Sequence, residues 1–160
     1  MEQTQHHDGM HGHDGSERAW APAVSATLHC LTGCAIGEVL GMVLSTWWGW
    51  GNAANIVLSI VLAFFFGYAL TMSSVLRAGV GFRPAVKVAL ASDTVSIIVM
   101  EIVDNLFILL VPGALDAGLG DLLFWASLAG SLVIAFLVTV PVNRELIARG
   151  RGHAVMHAYH

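Results

Sequence analysis

The sequence predicts an all-α fold: an integral membrane four-helix bundle with both termini on the cytoplasmic side (N-in/C-in). Three observations predict it. Of 160 residues, 56% are hydrophobic and only 11% charged, where a soluble domain averages about 25% charged, and the mean hydropathy is +0.73. Four apolar runs, Pro22–Trp48, Ala53–Leu76, Ala85–Val111 and Leu122–Val142, are each long enough to cross the hydrocarbon core, which takes about 20 helical residues. The basic residues fall on one side of those runs. A net charge of −4 gives no basic surface for nucleic acid.

The elements follow in order. Residues 1–20 form a polar, His-rich tail. It has no cleavable-signal pattern, because the apolar run behind it is too long for a signal h-region. Residues 21–143 form the four-span bundle. The runs lack period-2 alternation, and in lipid only helices or closed barrels satisfy the backbone, so they read as helices. Trp50-Gly51-Asn52 joins the first pair, Arg77 to Pro84 the second, and Pro112 to Asp121 the third. Pro141-Val142-Asn143 is expected to end or kink the last helix. Residues 144–160 form a basic, His-rich tail.

Orientation comes from charge and aromatics. Arg18, Arg77, Arg83, Lys87, Arg144, Arg149 and Arg151 share the side that holds both tails, whereas Asp116 and Asp121 lie opposite. The positive-inside rule places the tails in the cytoplasm. Trp47, Trp48, Trp50 and Trp125 fall at the other interface, where aromatic belts form.

The first run carries "HCLTGCAIGE". At about 100° per residue, Cys30, Cys34, Glu38 and the ladder Gly33, Gly37, Gly41 share an arc of about 140°, with His29 just outside. The glycines make a packing face that lets another backbone approach closely. Cys30 and Cys34, one turn apart, can aim two sulfurs at one ion, whereas two cysteines on one regular helix rarely meet disulfide geometry. A carboxylate such as Glu38 at membrane depth is expensive and marks a functional site.

The third run carries "SDTVSIIVMEIVDN". Here Asp93, Met100 and Asp104 are nearly in line and Glu101 lies about 80° round. Four acids at membrane depth have no Lys or Arg at that depth to balance them; Lys87, at the cytoplasmic end of the third run, is the nearest base in sequence. They must be protonated, hydrated or paired with a bound cation. If the first and third helices face each other, two tiers form. His29, Cys30, Cys34 and Asp93 make the inner one; Glu38, Met100, Glu101 and Asp104 make the outer. The second and fourth runs receive no ligand role. Ser127, Gly130 and Ser131 read as a packing seam.

The tails mix His, Met and Asp. His6, His7, Met10, His11 and His13, with His153, Met156, His157 and His160, form clusters of a kind that captures Cu, Ni or Zn. Thiolate with thioether favours Cu(I), while imidazole and carboxylate broaden the choice, so copper comes first and zinc second. His29 is the one histidine within the spans, which leaves a two-histidine haem unsupported.

The chain from Trp20 onward resembles a bacterial family of small four-span membrane proteins, catalogued as a domain of unknown function, some of whose members are loosely labelled copper oxidase. The residues that carry the resemblance are His29-Cys30, Thr32-Gly33-Cys34 and Gly37-Glu38; Phe66-Gly67-Tyr68-Ala69-Leu70; Asp93-Thr94; Met100 to Asn105; Val111-Pro112-Gly113; Pro141-Val142-Asn143; and Arg149 to His153. It implies a four-helix membrane fold. With both tails placed in the cytoplasm, the expected location is a bacterial cytoplasmic (inner) membrane.

The sequence therefore favours a multi-pass protein that binds and transports a transition-metal ion rather than an enzyme. Its partners are the ion, the lipid bilayer and, since four helices leave little room for a pore, further copies of itself in a homo-oligomer packed partly through the glycine ladder. The alternatives are a copper-centre oxidase or redox protein, a proton or cation pathway that uses the acids alone, and a structural subunit packed through the glycines.

Overall fold

A computed structural model describes residues 20–79 and 81–148. The tail histidines and methionines at 6–13 and 153–160 lie outside the described residues. The chain forms four long helices: α1 (Trp20–Trp48), α2 (Asn52–Arg77), α3 (Phe82–Leu110) and α4 (Leu122–Ala148). A short 3-10 turn, Ala114–Asp116, interrupts the last connection. No strand occurs among the described residues.

Each junction has a local cause. At the end of α1 the amide of Gly49 reaches the Thr46 carbonyl (3.3 Å) and that of Trp50 the Ser45 carbonyl (2.8 Å). This is the Schellman pattern, and it needs the left-handed backbone that Gly49 supplies at φ 67°. The chain reverses within three residues and lays α2 against α1. At the far end of α3, Gly113 at φ 80° turns the chain into the 3-10 segment, which Asn52 ties to the start of α2 by a 3.1 Å bond to Asp116.

Of the two outcomes expected at Pro141, the structure excludes the ending: Pro141 lies inside α4, and the helix runs on to Ala148 rather than stopping at Pro141-Val142-Asn143. A proline removes one hydrogen bond to the carbonyl four residues back. Here the helix is held by packing on both sides of the proline, because Val140 before it and Asn143 after it are buried.

The helices pack in sequence order round a common axis, α1 on α2, α2 on α3, α3 on α4 and α4 on α1, and α1 also meets α3 across that axis. The α1–α2 contact is the most extensive. A Cβ on Gly33 would stand 2.6 Å from the backbone nitrogen of Gly67, and one on Gly37 2.5 Å from that of Ala63. A Cβ on Gly41 would strike Ser59. The glycine ladder is therefore engaged by α2 of the same chain. A homo-oligomer would need other faces.

Polarity is distributed inside out. Exposed large side chains include Val57 and Phe65 on α2, Ile98, Ile102, Leu106 and Leu109 on α3, and Val133 and Leu137 on α4. The buried set includes Asp93, Glu101, Asp104, Thr27, Ser96, Ser131, Thr139 and Asn143. Helices α1, α2 and α4 are long and apolar enough to cross a bilayer, which marks a membrane protein. Helix α3 has comparable length, but Asp93, Glu101 and Asp104 interrupt its apolar stretch. Those acids face inward while its outer face is aliphatic.

Candidate functional site

The axis between α1, α3 and α4 is a polar column, and it can be followed from the basic end, near Arg77 and Lys87, to the tryptophan end, near Trp48 and Trp50. The first level is a node of three helices. Asn143 of α4 donates from Nδ2 to the Thr27 hydroxyl of α1 at 2.8 Å, and its Oδ1 accepts a hydrogen bond from Ser96 of α3. Thr27 in turn donates to the Ala23 carbonyl at 2.7 Å. All three side chains are buried, so each polar group is matched as a low-dielectric interior requires. The Pro141-Val142-Asn143 segment thus supplies a hinge-pin for three helices, because α4 continues through it.

The second level holds the sulfur atoms. Cys30, Cys34 and Met100 are each 1% exposed and pack in one cluster with Ile97, Ala63 and Ala135. Both cysteines are free thiols. The Cys30 thiol interacts electrostatically with Asp93, and the Cys34 thiol with Glu101 and Asp104. Met100 differs from the expected tiers. It joins the thiols rather than the outer carboxylates, because it lies one turn from Ile97 on the face of α3 that meets α1.

The third level is acidic. Asp104 is 1% exposed and neither carboxyl oxygen meets a hydrogen-bond donor. The neighbouring Ser131 hydroxyl donates instead to the Leu128 carbonyl at 2.9 Å. Glu101 accepts from Asn105 at 3.4 Å on Oε2, while Oε1 is buried and meets no donor. Glu38 presents a buried Oε2 in the same condition. Glu38 and Glu101 line a cavity of about 60 Å³, room for a few water molecules. A wider vestibule of about 220 Å³ shares Met42, Asn55 and Leu115 with it and reaches Trp50 and Asp116 at the tryptophan end.

His29 lies apart from the column. Its Nδ1 is 2.8 Å from the Ser25 carbonyl and its Nε2 is 3.5 Å from the Ser74 hydroxyl of α2. The expected inner tier therefore keeps Cys30, Cys34 and Asp93 in the column and places His29 on the α2 side. The structure brings α1 and α3 together, as that arrangement needs, but among the described residues no three His, Cys, Asp or Glu side chains converge closely enough to hold one ion. The donors are strung along the axis. Of the described basic residues, Arg77, Arg83 and Lys87 are exposed, and the Arg144 guanidinium stacks 4.4 Å over Trp20.

Sequence reasoning missed the contribution of α4. Ser131, Ala135, Thr139 and Asn143 recur every four residues and are all buried, a stripe legible as small and polar residues on one face. It also missed Asn55 and Asn105, which flank the cavity. Each is a single polar residue near a helix end, where an exposed position is the ordinary expectation.

A family model described as "Domain of unknown function (DUF4396)" matches residues 19–152. No curated protein and no solved structure matches the chain.

Proposed function

The chain belongs to the DUF4396 family, and from that premise we propose that it is a four-span membrane protein, with both termini in the cytoplasm of a bacterial inner membrane, that binds a soft transition-metal ion and carries it along the axial column. The aliphatic outer face of α3 supports a fourth span, since every acid on that helix is turned inward. The placement of the basic residues supports the orientation. The observation that carries the reading is the buried cluster of Cys30, Cys34 and Met100 flanked by Asp93 and Glu101. Two thiolates and a thioether suit Cu(I), with zinc the second choice. The carboxylates on either side offer negative charge to a cation that has lost its water. The His-rich tails hold ions at the cytoplasmic mouth. A homo-oligomer belongs to the same proposal, assembled through faces other than the glycine ladder.

The test is metal analysis of the purified full chain together with metal uptake into proteoliposomes. Copper at about one ion per chain, lost in the Cys30→Ser/Cys34→Ser double variant, is the expected result. No bound copper or zinc, with uptake equal in wild type and double variant, overturns it.

A second reading is a proton or alkali-cation pathway that uses the acids without tight metal binding. The stringing-out of the donors favours it, since no three of them converge. It predicts that Asp93→Asn or Glu101→Gln abolishes flux while the double cysteine variant stays active.

A further inference from the structure

The cavity between Glu38 and Glu101 differs in chemistry from the sulfur cluster one level below it. Its polar lining is oxygen and amide: the two carboxyls, the side-chain amides of Asn55 and Asn105, and the hydroxyls of Ser59 and Ser127. Glu101, one of the residues lining this space, is only 6% exposed, and its buried Oε1 meets no donor. Glu38 brings a second buried oxygen without one. A carboxyl oxygen buried with nothing to bond costs several kcal/mol in an apolar medium, and both carboxyls belong to residues that line one small volume.

The surroundings hold Glu101 and Asn55 in place. Asn105 donates to the Glu101 backbone carbonyl at 2.8 Å and to Oε2 of the same residue at 3.4 Å, which restrains the Glu101 carboxyl. The Asn55 carbonyl oxygen accepts from Ser45 at 3.1 Å and from Ser59 at 3.5 Å. Asn55 is therefore oriented before any ligand arrives. The vestibule that shares Met42, Asn55 and Leu115 with the cavity gives a route from the tryptophan end.

From these observations we infer that the Glu38–Glu101 cavity is a binding site for a partly hydrated hard divalent cation, calcium or magnesium, entering from the tryptophan end of the bundle. Two carboxylates match a double positive charge. Carboxylate, amide carbonyl, hydroxyl and water oxygens form the donor set that such ions take, and both ions tolerate retained water. A volume of about 60 Å³ leaves room for the ion with part of its hydration shell. The site goes beyond the sulfur station and does not require it: one ion is selected by oxygen at the tryptophan-end level, another by sulfur at mid-depth.

The experiment measures thermal unfolding of the purified, detergent-solubilised full chain, treated with chelator and then titrated with CaCl₂ or MgCl₂. NaCl at matched ionic strength is the control, and isothermal titration gives the affinity. The expected result is a saturable rise in Tm with one or both divalent ions and none with NaCl. Glu38→Gln and Glu101→Gln should weaken binding by roughly tenfold or more, the loss typical even of groups one shell removed from a metal. Cys30→Ser, at the thiol that meets Asp93 rather than Glu101, should bind the divalent ion as wild type does, so a failed sulfur station and a failed oxygen site give different patterns. No saturable shift in wild type overturns the inference. So does a shift that persists in the Glu38→Gln/Glu101→Gln double variant, which would place the ion elsewhere. Should a glutamine variant fail to fold, Ser127→Ala, which removes one lining hydroxyl, should still lower the affinity, and an unchanged affinity counts against the site.

Discussion

Helix α1 shows two faces that do opposite things. Toward α2 it presents Gly33, Gly37 and Gly41, and backbone meets backbone so closely that no Cβ fits. Toward α3 and α4 it presents Thr27, Cys30, Cys34 and Glu38, and the contact is made of polar groups, sulfur and a cavity. The first interface gains its stability from close van der Waals packing, the main attraction available between helices in lipid. The second forgoes part of that to hold acids and thiols at depth. One helix therefore carries both the fastening and the working surface, and substitutions on the two faces should fail in different ways.

The largest effect is expected on the packed face. Gly37→Leu places a side chain where a Cβ alone would lie 2.5 Å from the Ala63 backbone nitrogen. Overpacking of this kind costs about 1–3 kcal/mol even where side chains can shift, and here the obstacle is backbone. Monodisperse protein on size exclusion should be lost. Recovery at wild-type yield and Tm would show that the ladder is not the fastening.

Next comes the working face, where the outcome should reverse. Asp104→Asn keeps shape and removes a charge that no donor meets, so folding should survive with Tm unchanged or higher. Cation flux in proteoliposomes should fall by roughly tenfold, equivalent to about 1.4 kcal/mol. Flux equal to wild type would reduce Asp104 to a tolerated passenger.

A smaller loss of stability is expected at the three-helix node. Asn143→Ala breaks the bonds to Thr27 and Ser96. Interhelical hydrogen bonds in membranes are worth about 0.6–2 kcal/mol, so detergent or thermal unfolding should move by that amount while Asn143→Gln recovers part of it. The smallest effect belongs to the surface. Asn52→Ala removes an exposed bond to Asp116 and should change stability by no more than about 0.5 kcal/mol. A larger change would show that the 3-10 turn holds the bundle end closed.

Much of the helix layout was legible because apolar run length is a one-dimensional property. The runs starting at Pro22 and Ala53 correspond to helices beginning at Trp20 and Asn52. The end of α4 was not legible: Pro141 signals a stop locally, and the packing of Val140 and Asn143 overrides it. At the site, helical phase placed Cys30 and Cys34 on one face with Glu38, and Asp104 near Asp93. Phase gives a residue's direction but not what lies there. His29 therefore turned out to lie beside Ser74 of α2, Met100 joined the thiols, and Asn143 came from a helix that had been assigned only a packing seam.

One consequence concerns how the molecule is made. The tight reversal at Gly49 joins α1 and α2 so closely that their glycine contact can form as soon as both have left the ribosome, and synthesis proceeds N-terminus first. Helix α3 then arrives with three acids that its own apolar content does not offset, and it meets a groove already lined by Cys30, Cys34 and Glu38. If α3 is the fourth span proposed above, its insertion should depend on the growing assembly rather than on its own residues. A reporter of membrane insertion fused after α3 alone should read poor insertion, and one fused after α1–α3 efficient insertion; equal readings would make α3 self-sufficient. The hairpin would then act as a chaperone built into the same polypeptide.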